Sequence, residues 1–254
     1  MFYRLFKCVV LVPLLRWLFR PRIEGLENVP RGGAAIIAGN HQSFCDQFLL
    51  GVTLRRRISF LAKMEYFTGK GLRGRLSAAF FRGIGAIPVD RSGNGAGQAA
   101  VESGLGVLLD GGLLGIFPEG TRSHDGRLYK GRVGVAAMAL RSGAPVVPCA
   151  VIGTFEAQPA GRRVPRVVPI TLRFGTPLDF SRYANLPDRH AALRAATDEI
   201  MYAILVLSGQ EYVDRYATDA KAEAQADATA RARAGALTQP PVAERAATPQ
   251  APAA

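Results

Sequence analysis

A histidine followed five positions later by an aspartate, His41 and Asp46 in Asn40-His41-Gln42-Ser43-Phe44-Cys45-Asp46, is the pairing in this chain best suited to moving a proton. The aspartate can accept from one ring nitrogen, which fixes the tautomer and stabilises the imidazolium. The other nitrogen is then free to act as a general base. Five residues turn through about 140° on a helix, so the two side chains meet only if His41 lies before the helix begins. Gly39 and Asn40 make a turn there plausible. A second cluster, Phe117-Pro118-Glu119-Gly120-Thr121-Arg122-Ser123, ends an apolar run and reads as an anion-binding turn. Gly120 permits close backbone approach, Thr121 supplies a hydroxyl donor, and Arg122 can grip a phosphate through two parallel bonds. Taken singly, Arg122 could be a surface ion pair and Glu119 a carboxylate capping a helix start. Between the two clusters lies a third, Gly83-Ile84-Gly85-Ala86-Ile87-Pro88-Val89-Asp90-Arg91.

The base has no obvious protein nucleophile to serve. Gly-x-Ser-x-Gly is absent, which removes the strand-to-helix serine of an α/β-hydrolase. Ser43 lies close by, but its expected role is to cap the following helix. The hydroxyl that His41 activates must therefore belong to a substrate. Lys63, at the end of an expected strand, is a weaker candidate for charge stabilisation, with a plain surface lysine as the equal alternative. His41 and Cys45 are four apart, yet no third and fourth ligands stand near, and the chemistry needs no metal. Pro88 stands where a dinucleotide-binding glycine should be, and the chain has no Gly-x4-Gly-Lys-Ser/Thr run. Nucleotide dependence is therefore not expected.

The elements that must position these groups follow from the alternation of the chain. Expected strands are Ala34–Ala38, Ile58–Ala62, Ile84–Val89, Leu113–Phe117, Val146–Ile152 and Val167–Phe174. Expected helices lie near Asp46–Thr53, Leu72–Phe81, Gln98–Asp110, Arg132–Ser142 and Arg189–Leu207. Strand–helix alternation at this spacing gives an α/β layer structure. Gly104 and Gly106 weaken the third of these helices, at roughly 1 kcal/mol each relative to alanine. Each chemical cluster follows or ends an apolar run, so all three can meet along one sheet edge, where α/β proteins build their sites.

The chain has 254 residues and a formal net charge of +12. That charge calls for an anionic partner: nucleic acid, a membrane surface or a phosphorylated substrate. Arg55, Arg56, Arg57, Lys63, Lys70, Arg73, Arg75 and Arg82 concentrate it between the first two clusters. No zinc-finger spacing, RNP-type aromatic motif or basic-region heptad accompanies it, so nucleic acid is not the expected partner. Anionic phospholipid is. Residues 1–20 are apolar but carry Arg4, Lys7, Arg16 and Arg20. A spanning helix needs ~20 apolar residues, and this segment has neither that length nor a small-x-small cleavage site. It reads as a membrane-interfacial helix, with Phe2, Phe6, Trp17 and Phe19 in the headgroup boundary and the cations snorkelling; a simple core helix is the competing reading. Residues 21–218 then form one domain. Residues 219–254, alternating alanine with polar residues and then rich in Pro, Ala and Thr, offer no amphipathic face and are expected to be a disordered tail with at most nascent helix. Cys8, Cys45 and Cys149 are odd in number and widely spaced, which fits a reducing compartment.

In order and in residue type, the three clusters resemble the motifs of the glycerolipid acyltransferase family. Asn40, His41 and Asp46 match its Asn-His-x4-Asp block, Gly83 to Arg91 its second, and Phe117 to Ser123 its third without substitution. Ala144-Pro145-Val146-Val147-Pro148 looks like the fourth. One departure is Pro88, near which the family often carries an aromatic residue. The resemblance covers roughly Pro21 to Tyr183. It implies a central mixed β-sheet flanked by helices and an acyltransferase with no bound cofactor. By the same resemblance His41 and Asp46 are catalytic, and Arg91, Glu119, Gly120, Thr121 and Arg122 hold the phosphate of the acceptor. The acceptor is then a lysophospholipid, 1-acylglycerol-3-phosphate above all, with glycerol-3-phosphate or another lyso-lipid as the alternative. The co-substrate is acyl-CoA or acyl carrier protein, and the place of action is the cytoplasmic face of the plasma membrane, as a peripheral protein. A non-catalytic lipid-binding protein would not need the His41–Asp46 pair, and a thioester hydrolase would not need the phosphate-binding arginines.

Deleting residues 1–20 is expected to release the protein from anionic vesicles while leaving chemistry on a soluble short-chain acceptor largely intact. Complete co-sedimentation of the truncated chain at high salt would place the anchor elsewhere.

Overall fold

The protein is described here by a computed structural model covering residues 20–237, except 91, 92, 94, 160, 161, 163, 165 and 185. The expected N-terminal interfacial segment and Arg91 lie outside the described residues. In chain order the elements are β1 (Arg22–Glu24), β2 (Ala35–Gly39), α1 (Asp46–Thr53), β3 (Ile58–Lys63), α2 (Gly71–Gly83), β4 (Ala86–Val89), α3 (Ala96–Leu109) and β5 (Leu113–Ile116). They continue with β6 (Leu128–Tyr129), α4 (Gly134–Ser142), β7 (Val146–Ile152), α5 (Thr154–Ala157), β8 (Thr171–Phe174), α6 (Arg189–Ser208), β9 (Tyr212–Val213) and α7 (Ala217–Leu237).

The main sheet has the order β1-β8-β7-β2-β5-β3-β4. From β7 to β4 all strands run parallel, while β8 is antiparallel to β7 and carries β1 beside it. The sheet is therefore mixed, as expected. β2 reads Ala-Ile-Ile-Ala-Gly because both its faces are covered, which removes any polar alternation. Ile36 and Ala38 pack with α3, α4 and α6 on one side, and Ala35 and Ile37 pack with α1 on the other. Two buried layers result, with β2 and β5 at their centre and the carboxyl ends of β2, β5, β3 and β4 along one edge.

Differences from the expected elements have local causes. The strand expected from Ile84 begins at Ala86, because Gly85 turns the chain at φ 86° hard against the carbonyl of Ile58. Pro88 is accommodated because β4 is the edge strand. Gly104 does not weaken α3 so much as admit its neighbour: a Cβ there would lie 2.2 Å from the Met138 sulfur of α4. β8 starts only at Thr171, after Pro169.

The chain divides into two compact units, Met1–Thr218 and Asp219–Ala254. Where at most nascent helix is expected from residue 219, α7 runs on to Leu237, and residues 238–254 lie outside the described residues. An amphipathic face is not required for this: alanine has the highest intrinsic helix propensity, and the helix stands with residues 222–231 exposed to solvent.

Candidate active site

The parallel strands β2 and β5 end side by side, with Ala38 opposite Ile116, and the two chemical clusters begin at the next residues. β2 cannot continue its ladder because Asn40 takes it over with its side chain. Asn40 Oδ1 accepts from the Val151 amide at 2.7 Å, and Nδ2 donates to the Val151 carbonyl at 3.1 Å and to Gln210 Oε1 at 2.7 Å. The backbone is thus turned off the sheet at His41, ahead of α1, as the five-residue spacing requires.

Asp46, fully buried at the start of α1, folds back onto that turn. Its Oδ2 accepts from His41 Nδ1 at 2.9 Å and from the backbone amides of Gln42 and Ser43, each at 2.8 Å. An oxygen facing two amide hydrogens already acts as an acceptor, so the hydrogen-bond network assigns the Nδ1–H tautomer to His41. The Nε2 lone pair is left for chemistry. The imidazole lies flat on Phe117, ring centroids 4.0 Å apart, and Phe117 in turn stacks on Phe60 at 5.8 Å. Phe117 does this because the β5 ladder stops at Ile116, one residue earlier than expected. Phe60 also lines a small apolar cleft together with Phe48, Val52, Phe81 and Ala86, so the cleft is linked to the histidine through two stacked rings.

Ser43 does not cap α1 as expected. Its hydroxyl accepts from the Cys45 amide and donates to Gln158 Oε1 at 3.1 Å. The Cys45 thiol also turns to Gln158 Oε1, at 3.2 Å, and burial raises its pKa, which keeps it a thiol. Neither side chain is offered to the imidazole as a nucleophile.

Glu119 differs most from its expected place. It is buried, and its carboxyl oxygens accept from the backbone amides of His41 (2.9 Å) and Tyr129 (3.0 Å). Both oxygens face inward, so Glu119 clasps the loops after β2 and β5 to β6 and does not face an anion; a carboxylate there would repel one. Burial raises its pKa to about 8; the two amide donors pull the other way, and the nearby Asp46 and Asp125 add to the rise. The clasp is reinforced where the Ser123 amide donates to the His41 carbonyl at 2.7 Å. Gly120 turns the segment at φ 76°, a conformation that favours glycine. Arg122 emerges exposed from this turn, engaged by no hydrogen bond or ion pair among the described residues, and Thr121 is half-buried beside it. Lys63 is exposed at the end of β3, on the same sheet edge.

The sequence reasoning missed Gln210. Its amide links Asn40 to the Gly126 carbonyl (2.6 Å), which Gln42 also reaches (3.1 Å). Gln210 is 170 residues from Asn40 and sits in no motif, so no local signal marked it. Among the described residues no group of three or more metal-binding side chains occurs.

A mostly parallel sheet with a histidine paired to a buried aspartate at its carboxyl edge, near an apolar cleft and an arginine unpaired among the described residues, defines an α/β protein with an arrangement suited to acid–base chemistry. The chain belongs to the acyltransferase family, whose sequence model, described as Acyltransferase, matches residues 20–152. A 1-acyl-sn-glycerol-3-phosphate acyltransferase of Bacillus subtilis (strain 168) is 32% identical over 182 residues, 70% of this chain and 84% of that protein. A chloroplastic 1-acyl-sn-glycerol-3-phosphate acyltransferase of Arabidopsis thaliana is 32% identical over 144 residues, 56% of this chain but 39% of the plant protein. In fold, the chain is similar to the crystal structure of the 1-acyl-sn-glycerophosphate (LPA) acyltransferase PlsC from Thermotoga maritima. The TM-score is 0.59 at 24% identity, over 77% of this chain and 74% of that one.

The raised pKa of Glu119 gives stability a pH dependence with a definite sign. The unfolded chain releases this proton near 4.5 and the folded chain near 8, so the contribution is full below the first value and is lost as pH rises through the second. Urea midpoints of the native protein should fall across that window more steeply than those of Glu119→Gln, which cannot ionise. A native midpoint that rises relative to the variant would mean that the amide donors hold the group ionised.

Proposed function

We propose that this protein transfers a fatty acyl group from a thioester, acyl-CoA or acyl carrier protein, to the free hydroxyl of 1-acylglycerol-3-phosphate, giving phosphatidic acid at a membrane surface. The observation that carries this reading is His41 held by the buried Asp46, with no protein nucleophile presented to it among the described residues. His41 Nε2 takes the proton of the acceptor hydroxyl as its oxygen bonds to the thioester carbonyl carbon. The tetrahedral centre collapses with cleavage of the carbon–sulfur bond, and the imidazolium returns the proton to the leaving thiolate. No acyl-enzyme forms. Asp46 holds the ring and stabilises the imidazolium, a role that its burial and its three donors on one oxygen suit.

Arg122, exposed and unengaged among the described residues, binds the acceptor phosphate with Thr121 and, from the second motif, Arg91. Gly120 gives the turn its shape. Glu119 serves from behind, by fixing the His41 amide. Lys63 lies on the same sheet edge and supplies positive charge near the thioester. The apolar side chains around Phe60 meet the acyl chain, since Phe60 stacks on Phe117 and Phe117 on the imidazole. Support for this acceptor comes from the names of the Bacillus and Arabidopsis relatives. The net charge of +12 favours peripheral attachment to anionic phospholipid, at the cytoplasmic face of the plasma membrane. No helix among the described residues is long and apolar enough to cross a membrane.

Mass spectrometry of products from acyl-CoA and 1-acylglycerol-3-phosphate should show phosphatidic acid, and His41→Ala should lower its rate by ~10²–10⁴ without unfolding the protein. Free fatty acid formed equally fast without acceptor would make the protein a thioester hydrolase instead. Arg122→Lys should raise the acceptor KM and leave the donor KM little changed, because lysine keeps the charge but loses the planar fork. An effect confined to the donor KM would assign the arginine to the acyl carrier.

A further inference from the structure

We infer that the outer face of α2 is a membrane-docking surface for anionic phospholipid, which seats the mouth of the apolar cleft on the bilayer. Leu72 is 72% exposed, Leu76 61% and Phe80 46%, although all three are large apolar side chains on one 13-residue helix. With Leu72 at zero and about 100° per residue, Leu76 falls at about 40° and Phe80 at about 80°, so they form one stripe. On the same wheel Arg73 lies at about 100°, and Arg75 and Arg82 at about −60° and −80°, so arginines border the stripe on both sides. The opposite side, Gly74, Ala78 and Phe81, is the buried one. Gly74 is there because the backbone of Gly69 passes where a Cβ would be.

The flanking charge selects the occupant. α2 carries three arginines and no acidic residue, and in the stretch from Lys63 to Gly83 the one acidic residue, Glu65, is outnumbered by Lys63, Lys70, Arg73, Arg75 and Arg82. None of the α2 arginines makes an ion pair among the described residues. Two copies of this chain meeting through α2 about a twofold axis would bring arginine against arginine with no carboxylate between them. An anionic bilayer satisfies both parts: the leucines and Phe80 enter the acyl boundary while the arginines snorkel to the phosphates.

The surface is also continuous with the site. Phe80 packs against Phe48, centroids 5.8 Å apart, and Phe48 lines the cleft and packs on the partly exposed Phe44 at 5.1 Å. A lipid rising beside α2 would meet aromatic surface the whole way to Phe60. This inference rests on the lipid acceptor proposed above, yet binding and turnover are read separately.

The test uses the full chain and vesicles of phosphatidylcholine with or without phosphatidylglycerol. Leu72→Gln/Leu76→Gln should partition onto the anionic vesicles at least ~10-fold more weakly than the native protein, while keeping its turnover of a monomeric short-chain acceptor. Arg73→Gln/Arg75→Gln should lose a similar factor on anionic vesicles and nothing on neutral ones. Independently of any loss of stability in those variants, Leu76→Trp in a Trp17→Phe background should shift its emission to the blue on vesicles and be quenched by brominated acyl chains. Unchanged partitioning of the leucine variant, or an unquenched tryptophan, would overturn the proposal. So would a native dimer that the leucine variant dissociates with vesicle binding intact. Should the native protein bind vesicles through α2 but transfer no acyl group, the docking surface stands and the proposed reaction fails.

Discussion

A single buried oxygen, Oδ2 of Asp46, sets the geometry on which the rest of the site depends. It gathers one ring nitrogen and two consecutive backbone amides, so the turn from Asn40 to Ser43 and the plane of the imidazole are fixed together. A buried acceptor is costly to leave unsatisfied, and hydrogen bonds to a charged acceptor are the stronger kind. Loss of the Asp46 carboxylate would therefore strand the imidazole and both amides at once. The orientation of the ring and the local folding of the turn share one acceptor.

The remainder of the site extends that anchoring outward. Asn40 replaces the ladder that β2 can no longer make, and Glu119 binds the amide of His41 from the β5 side. Phe117 supplies a flat apolar wall against one face of the ring. Gln210, arriving after α6, closes the network from the far end of the domain. What faces outward, by contrast, is less enclosed: Arg122 and Lys63 are exposed and Thr121 half-buried, as would suit the phosphate and thioester roles proposed for them. The division between a rigid interior and an open rim follows from burial, since the same low-dielectric surroundings that strengthen the inner hydrogen bonds would penalise an unpaired arginine.

Much of this was legible in the chain because it is local. The strands β2, β3, β5 and β7 announce themselves as apolar runs, and their parallel arrangement follows from the helices between them. The His41–Asp46 contact could be read from a spacing of five residues, provided that the turn preceded the helix. Glu119 was read as facing an anion because it shares a turn with Gly120, Thr121 and Arg122; its inward orientation depends on Tyr129, whose amide reaches it from β6. Ser43 and Cys45 were drawn away from their expected roles by Gln158, more than a hundred residues on. In α7 the preference of alanine for helix carries the chain further than the nascent helix expected from its lack of an amphipathic face.

The proposed chemistry requires that Asp46 hold His41 with a proton on Nδ1 and a free lone pair on Nε2. Nitrogen NMR of protein labelled in its histidine rings, with His41 assigned by the loss of its signals in His41→Gln, observes that state directly. The protein has three histidines, so the spectrum is simple. A neutral ring protonated at Nδ1 under conditions of full activity, with that tautomer losing its dominance in Asp46→Asn, is the predicted result. A ring protonated at Nε2 in the active protein would contradict the account, because no base would then face the substrate.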